Sequence, residues 1–407
     1  MIIYRLKIAV LGILTCSLCH QAFADPGVFK DRIVFGQSAV MKGPAAALGI
    51  GMNTGILAAF NAQNAQNAQG GIDGRKLDLL TYNDGYEPEL AAANTKKLIV
   101  KDNVFALIGA VGTPTSRVSV PIANKYNVPF IGPFTGAGFL RKSENSNVIN
   151  IRASYEQEAE TWVQHLTEDL GVTRIAVFYQ DDSFGQAGLK GVRKALASRN
   201  MRLVARGNYA RNLTAVHSAL FTIRKAEPEA VVMVGAYRPN AAFIRLARTF
   251  ELDAIFINIS FVGAKALAKE LGTAGKEVVI SQVVPFPWDT DIKLVSEYHK
   301  ALSAFNKDIE PGFVSLEGYI VGRLIIESLK RLKGEPTREN LLNTIYTSGP
   351  FELGGINLSF AEGDNQGMDN VYLTVIQEDG SFQSVNHLLP LTKKPVKDNE
   401  YETILIE

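Results

Sequence analysis

The 407 residues carry 42 Lys and Arg against 41 Asp and Glu, and 46% of the chain is hydrophobic. So balanced a charge leaves no basic excess for a nucleic-acid backbone, while the apolar content is ample for a folded core. The length exceeds what a single core usually supports and predicts two lobes.

Residues 1–24 read as a secretory signal peptide. Arg5 and Lys7 form its charged start, 8–18 its apolar run, and Ala22-Phe23-Ala24 its small-residue cleavage site. The expected location is therefore the periplasm. The apolar run is short for a bilayer, and no later segment approaches the necessary length, so the mature chain is not expected to span a membrane. Cys16 and Cys19 both lie in the leader, preceded by Thr15 and Leu18 rather than by the small residue of a lipoprotein site. The mature chain is thus expected to have no disulfide, no cysteine nucleophile and no thiolate metal site.

From Asp31 onward the pattern alternates. Residues 33–38 predict a strand, 51–62 a helix, 77–82 a strand, 89–101 a helix, 105–108 a strand, 116–126 a helix and 129–131 a strand. A second run follows: helix 155–170, strand 174–179, helix 188–199, strand 202–208, helix 215–225, strand 230–234 and helix 239–250. Such alternation predicts parallel sheets with helices on both faces. The β-branched run 278–284 ends in Pro285-Phe286-Pro287-Trp288 and reads as a connector. Helices near 292–305 and 315–333 are expected to return to the first lobe. Residues 351–385 read as small strands with Gly354-Gly355 and Asp379-Gly380 turns. The expected division is 31–150 with 286–350 for the N-terminal lobe, 151–285 with 351–386 for the C-terminal lobe, and a surface tail at 387–407. An Asn-Ala-Gln repeat over 61–69 carries no function that we can read.

No catalytic constellation emerges. His165, His217, His299 and His387 are scattered, with no i,i+4 histidine pair to hold zinc. Gly49-Ile50-Gly51 and Gly55 have the wrong spacing for a dinucleotide loop and read instead as close packing. There is no Walker loop and no GxSxG elbow. The chain is expected to be neither an enzyme nor a holder of a cofactor or metal. What recurs is a glycine- or hydroxyl-rich turn between strand and helix, at 108–116 and 132–138. At the carboxyl ends of parallel strands, such turns present backbone N–H groups to the polar end of a small ligand, although plain N-capping by Thr113, Thr115 or Ser116 explains the hydroxyls equally well.

One stretch, QGGIDGRKLDLLTYNDGYEP over 69–88, combines a glycine turn, a strand, a second turn and a proline-led helix start. With GQS and GP near the start, LIGAVGTPTS, VPFIGPFT, RIAVFYQDDSFGQAG and VVMVGAYRPNAA, it stands in the order found in the branched-chain amino-acid-binding family of periplasmic solute-binding proteins. The chain resembles that family from Ile33 to about Gly380. The resemblance implies a type I periplasmic binding protein fold: α/β, two Rossmann-like lobes with parallel central sheets joined by a multi-strand hinge. It implies a monomer that closes over a small-molecule ligand and delivers it to an inner-membrane ABC permease. A ligand-sensing receptor or regulator subunit of the same fold is the alternative role, and a more lipid-like ligand the alternative cargo.

By position, the resemblance implies a ligand site at Leu48, Thr113, Phe134, Thr135, Phe184, Tyr237 and Phe261. Gly136 stands where the amino-acid binders carry a threonine, and Phe184 where they usually carry a tyrosine. Those binders also place an acid near Ser260-Phe261 to pair with the ligand's ammonium, and 256–265 contains none. Because a buried ammonium without a counter-charge is costly, an apolar pocket is expected, with Trp288 as a further candidate wall. Glu317 and Asp84 are candidate replacement acids, though an exposed carboxylate or a helix cap is the plainer expectation for either.

Overall fold

The structure, a computed structural model, describes residues 25–66 and 70–389. The expected leader, residues 67–69 of the repeat and residues 390–407 of the expected tail lie outside the described residues. The chain opens with β1 (Arg32–Ala39), α1 (Ala46–Asn64), β2 (Lys76–Asn83), α2 (Pro88–Val100), β3 (Leu107–Ile108), α3 (Thr113–Lys125), β4 (Phe130–Ile131) and β5 (Val148–Ile149). These strands form a parallel sheet in the order β2-β1-β3-β4-β5.

The second run is α4 (Tyr155–Glu168), β6 (Ile175–Gln180), α5 (Ser183–Ala197), β7 (Ala205–Tyr209), α6 (His217–Arg224), β8 (Ala230–Val234), α7 (Tyr237–Thr249), β9 (Ile255–Asn258), α8 (Ala264–Leu271) and β10 (Val279–Gln282). Next come α9 (Lys293–Phe305), α10 (Phe313–Arg331), α11 (Arg338–Thr347), the hairpin β11 (Phe351–Glu352) and β12 (Asn357–Leu358), then β13 (Tyr372–Ile376) and β14 (Phe382–Val385). The second sheet runs β14-β13-β10-β9-β8-β6-β7. Its β6 to β10 are parallel, and β13 and β14 add an antiparallel edge. Every residue of β6 and β8 is buried, as central parallel strands covered on both faces should be.

The chain passes between the sheets three times: after β5, after β10 and between β12 and β13. The β-branched run expected as a connector supplies β10, inside the second sheet, and only the residues after it cross over. Both α9 and α10 pack on α1. Sequence reading also passed over β5, β9, α8 and α11, all of them short; α8 does carry a helical period, with Ala264, Leu267, Ala268 and Leu271 on its buried face.

Several helices begin earlier than their apolar pattern suggested, α3 among them, which starts at Thr113. Asp182 caps α5 by accepting the Phe184 N–H at 2.9 Å, which brings Phe184 into the first turn. α7 starts at Tyr237. α1 starts at Ala46 and so contains Gly49 and Gly51, poor helix formers that tertiary contact retains. A Cβ at Gly49 would lie 2.0 Å from Val40 O, and one at Gly55 would lie 1.9 Å from Ser315 O. From the other side, a Cβ at Gly318 would lie 2.3 Å from Met52 O, so α1 and α10 cross backbone to backbone. Gly318→Ala should therefore lower stability by about 1–3 kcal/mol through overpacking. An unchanged urea midpoint for that variant would contradict this helix crossing.

Candidate functional site

Loops at the carboxyl ends of strands from both sheets meet in an aromatic cluster centred on Phe261. The Phe261 ring centroid lies 5.3 Å from Phe134 and 5.9 Å from Tyr86 on the first-sheet side, and 4.5 Å from Phe184 on the second. Tyr155 continues the cluster, 5.5 Å from Phe184. All five rings are buried. Thr113 and Thr135 share a hydroxyl–hydroxyl hydrogen bond of 2.7 Å beside it. Toward one rim, Leu48 packs on the backbone of Gly263, where an added Cβ would come within 2.6 Å of Leu48 Cδ2. Tyr237 Oη accepts the Ala47 N–H at 3.4 Å next to that contact. All seven residues expected from the resemblance thus lie along the face between the sheets. Trp288 does not. It is 36% exposed and packs with Phe286, Phe313 and Phe382 on the outside.

The glycine at position 136 has a local cause. A Cβ there would lie 2.6 Å from Tyr155 Cδ1, so the Tyr155 ring fills the space that a threonine side chain would need. Ser154 and Gln157 form a capping box that starts α4, and the Tyr155 N–H donates to Gly136 O at 2.8 Å. Burial pushes the Tyr155 hydroxyl up to about 12, against the pull of Arg152 and Thr135.

Behind the rings sits a fully buried ionic group that sequence reading missed. Arg152 lies between Glu158, at 3.4 Å, and Glu317, at 3.6 Å. Its guanidinium carbon stands 4.9 Å from the Phe134 ring centroid, and its Nη2 donates to Ser260 Oγ. Glu158 accepts the Ser260 N–H and hydroxyl, both at 2.9 Å, and also the Ser281 hydroxyl. An acid therefore does stand at Ser260. It arrives from α4, about a hundred residues away in sequence, and it is already paired with the chain's own cation. Arg152 Nε and Nη1 and Glu317 Oε1 make no hydrogen bond.

Glu317 and Asp84 are both buried, which corrects the expectation of exposed or capping carboxylates. Asp84 accepts the Ser38 hydroxyl and the Tyr86 N–H, both at 2.9 Å, and so shapes the turn that delivers Tyr86. Burial raises its carboxyl to about 6 in spite of those bonds. Burial likewise raises Glu317 to about 7, with Arg152 and Arg141 opposing and Glu158 reinforcing the rise. Arg152 stays protonated because Glu317 and Glu158 outweigh its burial. Two carboxylates share the Arg152 guanidinium with Arg141 as a further nearby cation, and burial outweighs both cations in favouring a proton on Glu317.

A polar rim closes the other side. Arg211, after β7, meets Glu87 of the first-sheet side at 2.8 Å and Asp182 at 3.2 Å. Asn212 Nδ2 donates to Glu87 Oε1 at 2.7 Å, and Gln180 Nε2 to Tyr86 Oη at 3.3 Å. The two sheets' loops are therefore held together in this structure.

Known proteins can be set beside this geometry. The family model described as "Periplasmic binding protein" matches residues 32–381. The leucine-specific-binding protein of Salmonella typhimurium is 24% identical over 304 residues, 75% of this chain and 79% of that protein. A Pseudomonas aeruginosa protein described as binding leucine, isoleucine, valine, threonine and alanine is 22% identical over 360 residues, 88% of this chain and 94% of its own. Among solved structures, a possible leucine/isoleucine/valine-binding protein from Rhodopirellula baltica superposes with a TM-score of 0.81 at 38% identity, covering 86% of this chain and 95% of that one.

Because the native state holds Glu317 protonated above its ordinary range, this group's contribution to stability is present below about pH 4.5 and is lost as pH rises toward about 7. Glu317→Gln should thus gain on the parent by roughly 1–3 kcal/mol between pH 5 and pH 8. Parallel stability–pH curves for the two proteins would show that Glu317 is not a buried acid of this kind.

Proposed function

This chain belongs to the periplasmic binding protein family, as a member of the Leu/Ile/Val-binding type with the type I fold, and from that premise we propose that it is the solute-binding component of an ABC-type importer. Its ligand occupies the face between the two sheets, reached when they part and enclosed when they close. The bound molecule is a small carboxylate with an apolar or aromatic body and no ammonium group. The observation that carries this ligand class is the pairing of Arg152 with Glu158 and Glu317. In an amino-acid site, an acid at the Ser260 position is left for the ligand's ammonium. Here that acid is neutralised internally, and Arg141, the cation already near Arg152, has its pKa lowered by burial and by Arg152's repulsion, which a ligand ammonium would meet as well. A carboxylate has partners within the same region: the Thr113 and Thr135 hydroxyls and the unbonded Nε and Nη1 of Arg152. The rings of Tyr86, Phe134, Phe184 and Phe261 suit an apolar body.

A longer, lipid-like carboxylate is favoured by one further feature. From Leu48 a cavity of about 330 Å3 runs outward between Ile50, Gly263, Phe313 and Val314. Such a channel would take an acyl tail that the central cluster cannot.

A thermal-shift series should separate these ligands. Leucine and phenylalanine would be compared with 4-methylpentanoate and 3-phenylpropanoate, which lack only the amino group, and with octanoate and longer acids. The deaminated acids should raise Tm and the amino acids should not, since only a ligand of the native state stabilises it. Preferential stabilisation by leucine or phenylalanine would overturn the ligand class. With the best acid in hand, Tyr237→Phe and Thr135→Ala should each weaken binding by about 2- to 10-fold, the loss of roughly one hydrogen bond, with the ligand-free Tm little changed. Unchanged affinity in both would move the site elsewhere.

A further inference from the structure

Two of the chain's five histidines converge from positions 222 residues apart on a single carboxylate, on the second-sheet side. His165 and Asp169 stand four residues apart at the end of α4 and its C-cap, so they share a helix face. His387 arrives from the segment after β14. His165 Nδ1 lies 2.7 Å from Asp169 Oδ2, and His387 Nδ1 lies 3.2 Å from Asp169 Oδ1. The three ligand atoms all fall within 4.8 Å of one another. The imidazole planes are inclined at 74° with centroids 6.1 Å apart, so the rings converge edge to face rather than stack.

The geometry points to a divalent transition-metal site, for Zn2+ by preference, made of His165 Nδ1, Asp169 and His387 Nδ1. Ligand atoms about 2.0–2.2 Å from a Zn2+ ion sit about 3–3.5 Å from one another, near the 2.7 and 3.2 Å of the two histidine–aspartate contacts, with the third pair within 4.8 Å. A metal enters by replacing the protons that bridge imidazole and carboxylate, so only small side-chain movements are required. Two imidazoles and a carboxylate suit Zn2+, Ni2+ or Cu2+ and are too nitrogen-rich for Mg2+ or Ca2+. The Leu388 N–H donates to Asp169 Oδ2 at 2.8 Å, the kind of outer hydrogen bond that orients a ligating carboxylate. Asp169 and His165 are largely buried, whereas the His387 side chain is 76% exposed, which leaves the open coordination positions toward water. The metal would tie the segment ahead of residue 390 to α4, near one end of the second sheet.

The test is calorimetric titration of ZnCl2 into untagged protein stripped with EDTA, repeated with His387→Ala and His165→Ala. His387 is exposed, so its replacement should leave the fold intact, and the metal-free Tm checks this. One Zn2+ per chain is expected, with Tm raised by about 2 °C or more at saturation. Each histidine variant should weaken binding by roughly tenfold or more, with MgCl2 silent throughout. No Zn2+ uptake, or uptake unaltered by both substitutions, would overturn the site and leave a hydrogen-bonded cluster. This outcome is independent of the ligand proposed for the central face.

Discussion

The arrangement depends on one buried cation. Arg152 sits on the first crossing segment, Glu158 on the helix that follows it, and Glu317 on α10, which packs against α1. Three separate stretches of chain are thereby held to one charge in a place closed to solvent. Removing Arg152 or Glu158 would leave the other an uncompensated buried ion, which is far more damaging than the intact pair is stabilising, whereas Glu317, held protonated, can be replaced by a neutral side chain. Ser260 and Ser281 complete the solvation of Glu158 and fix the turn that carries Phe261. The ionic group thus sets the position of the ring at the centre of the cluster.

Consequences spread from that point to specificity. An acid beside a cleft is a general device for holding an ammonium, but only if its charge is available. With the ligand class proposed above, the Arg152 guanidinium stands where an amino-acid ligand's ammonium would need Glu158, and the Tyr155 ring fills the space beside Gly136. Both features would change what the face accepts while leaving the scaffold unaltered.

The contacts at the rims are weaker. The Arg211, Glu87 and Asn212 contacts and the Tyr237–Ala47 hydrogen bond lie at the rims, part-exposed and individually modest. Contacts of that strength can hold two lobes together without preventing their separation. The buried core of each lobe and the Glu158 contacts with Ser260 and Ser281, by contrast, are not expected to open in that motion, whereas the Arg152–Glu317 contact, with Glu317 on α10, joins the two sides.

Much of the architecture was legible in the sequence. Alternating apolar runs and polar turns announced two parallel sheets, because side-chain periodicity is local and needs no partner to be read. Ordered strings such as GGIDGRKL and VPFIGPFT identified the family, and the resemblance implied Phe134, Thr135 and Phe184 as ligand-site candidates, which the fold brings to the face between the sheets. Short elements such as β5 and β9 were not legible, since a strand of two to four residues has no period and is read only where a turn and a helix pattern frame it, as at β3 and β4. Nor was the pairing of Glu158 with Ser260, or that of His165 with His387. Both are encounters across a hundred residues or more, and only the folded chain decides which charges and imidazoles meet.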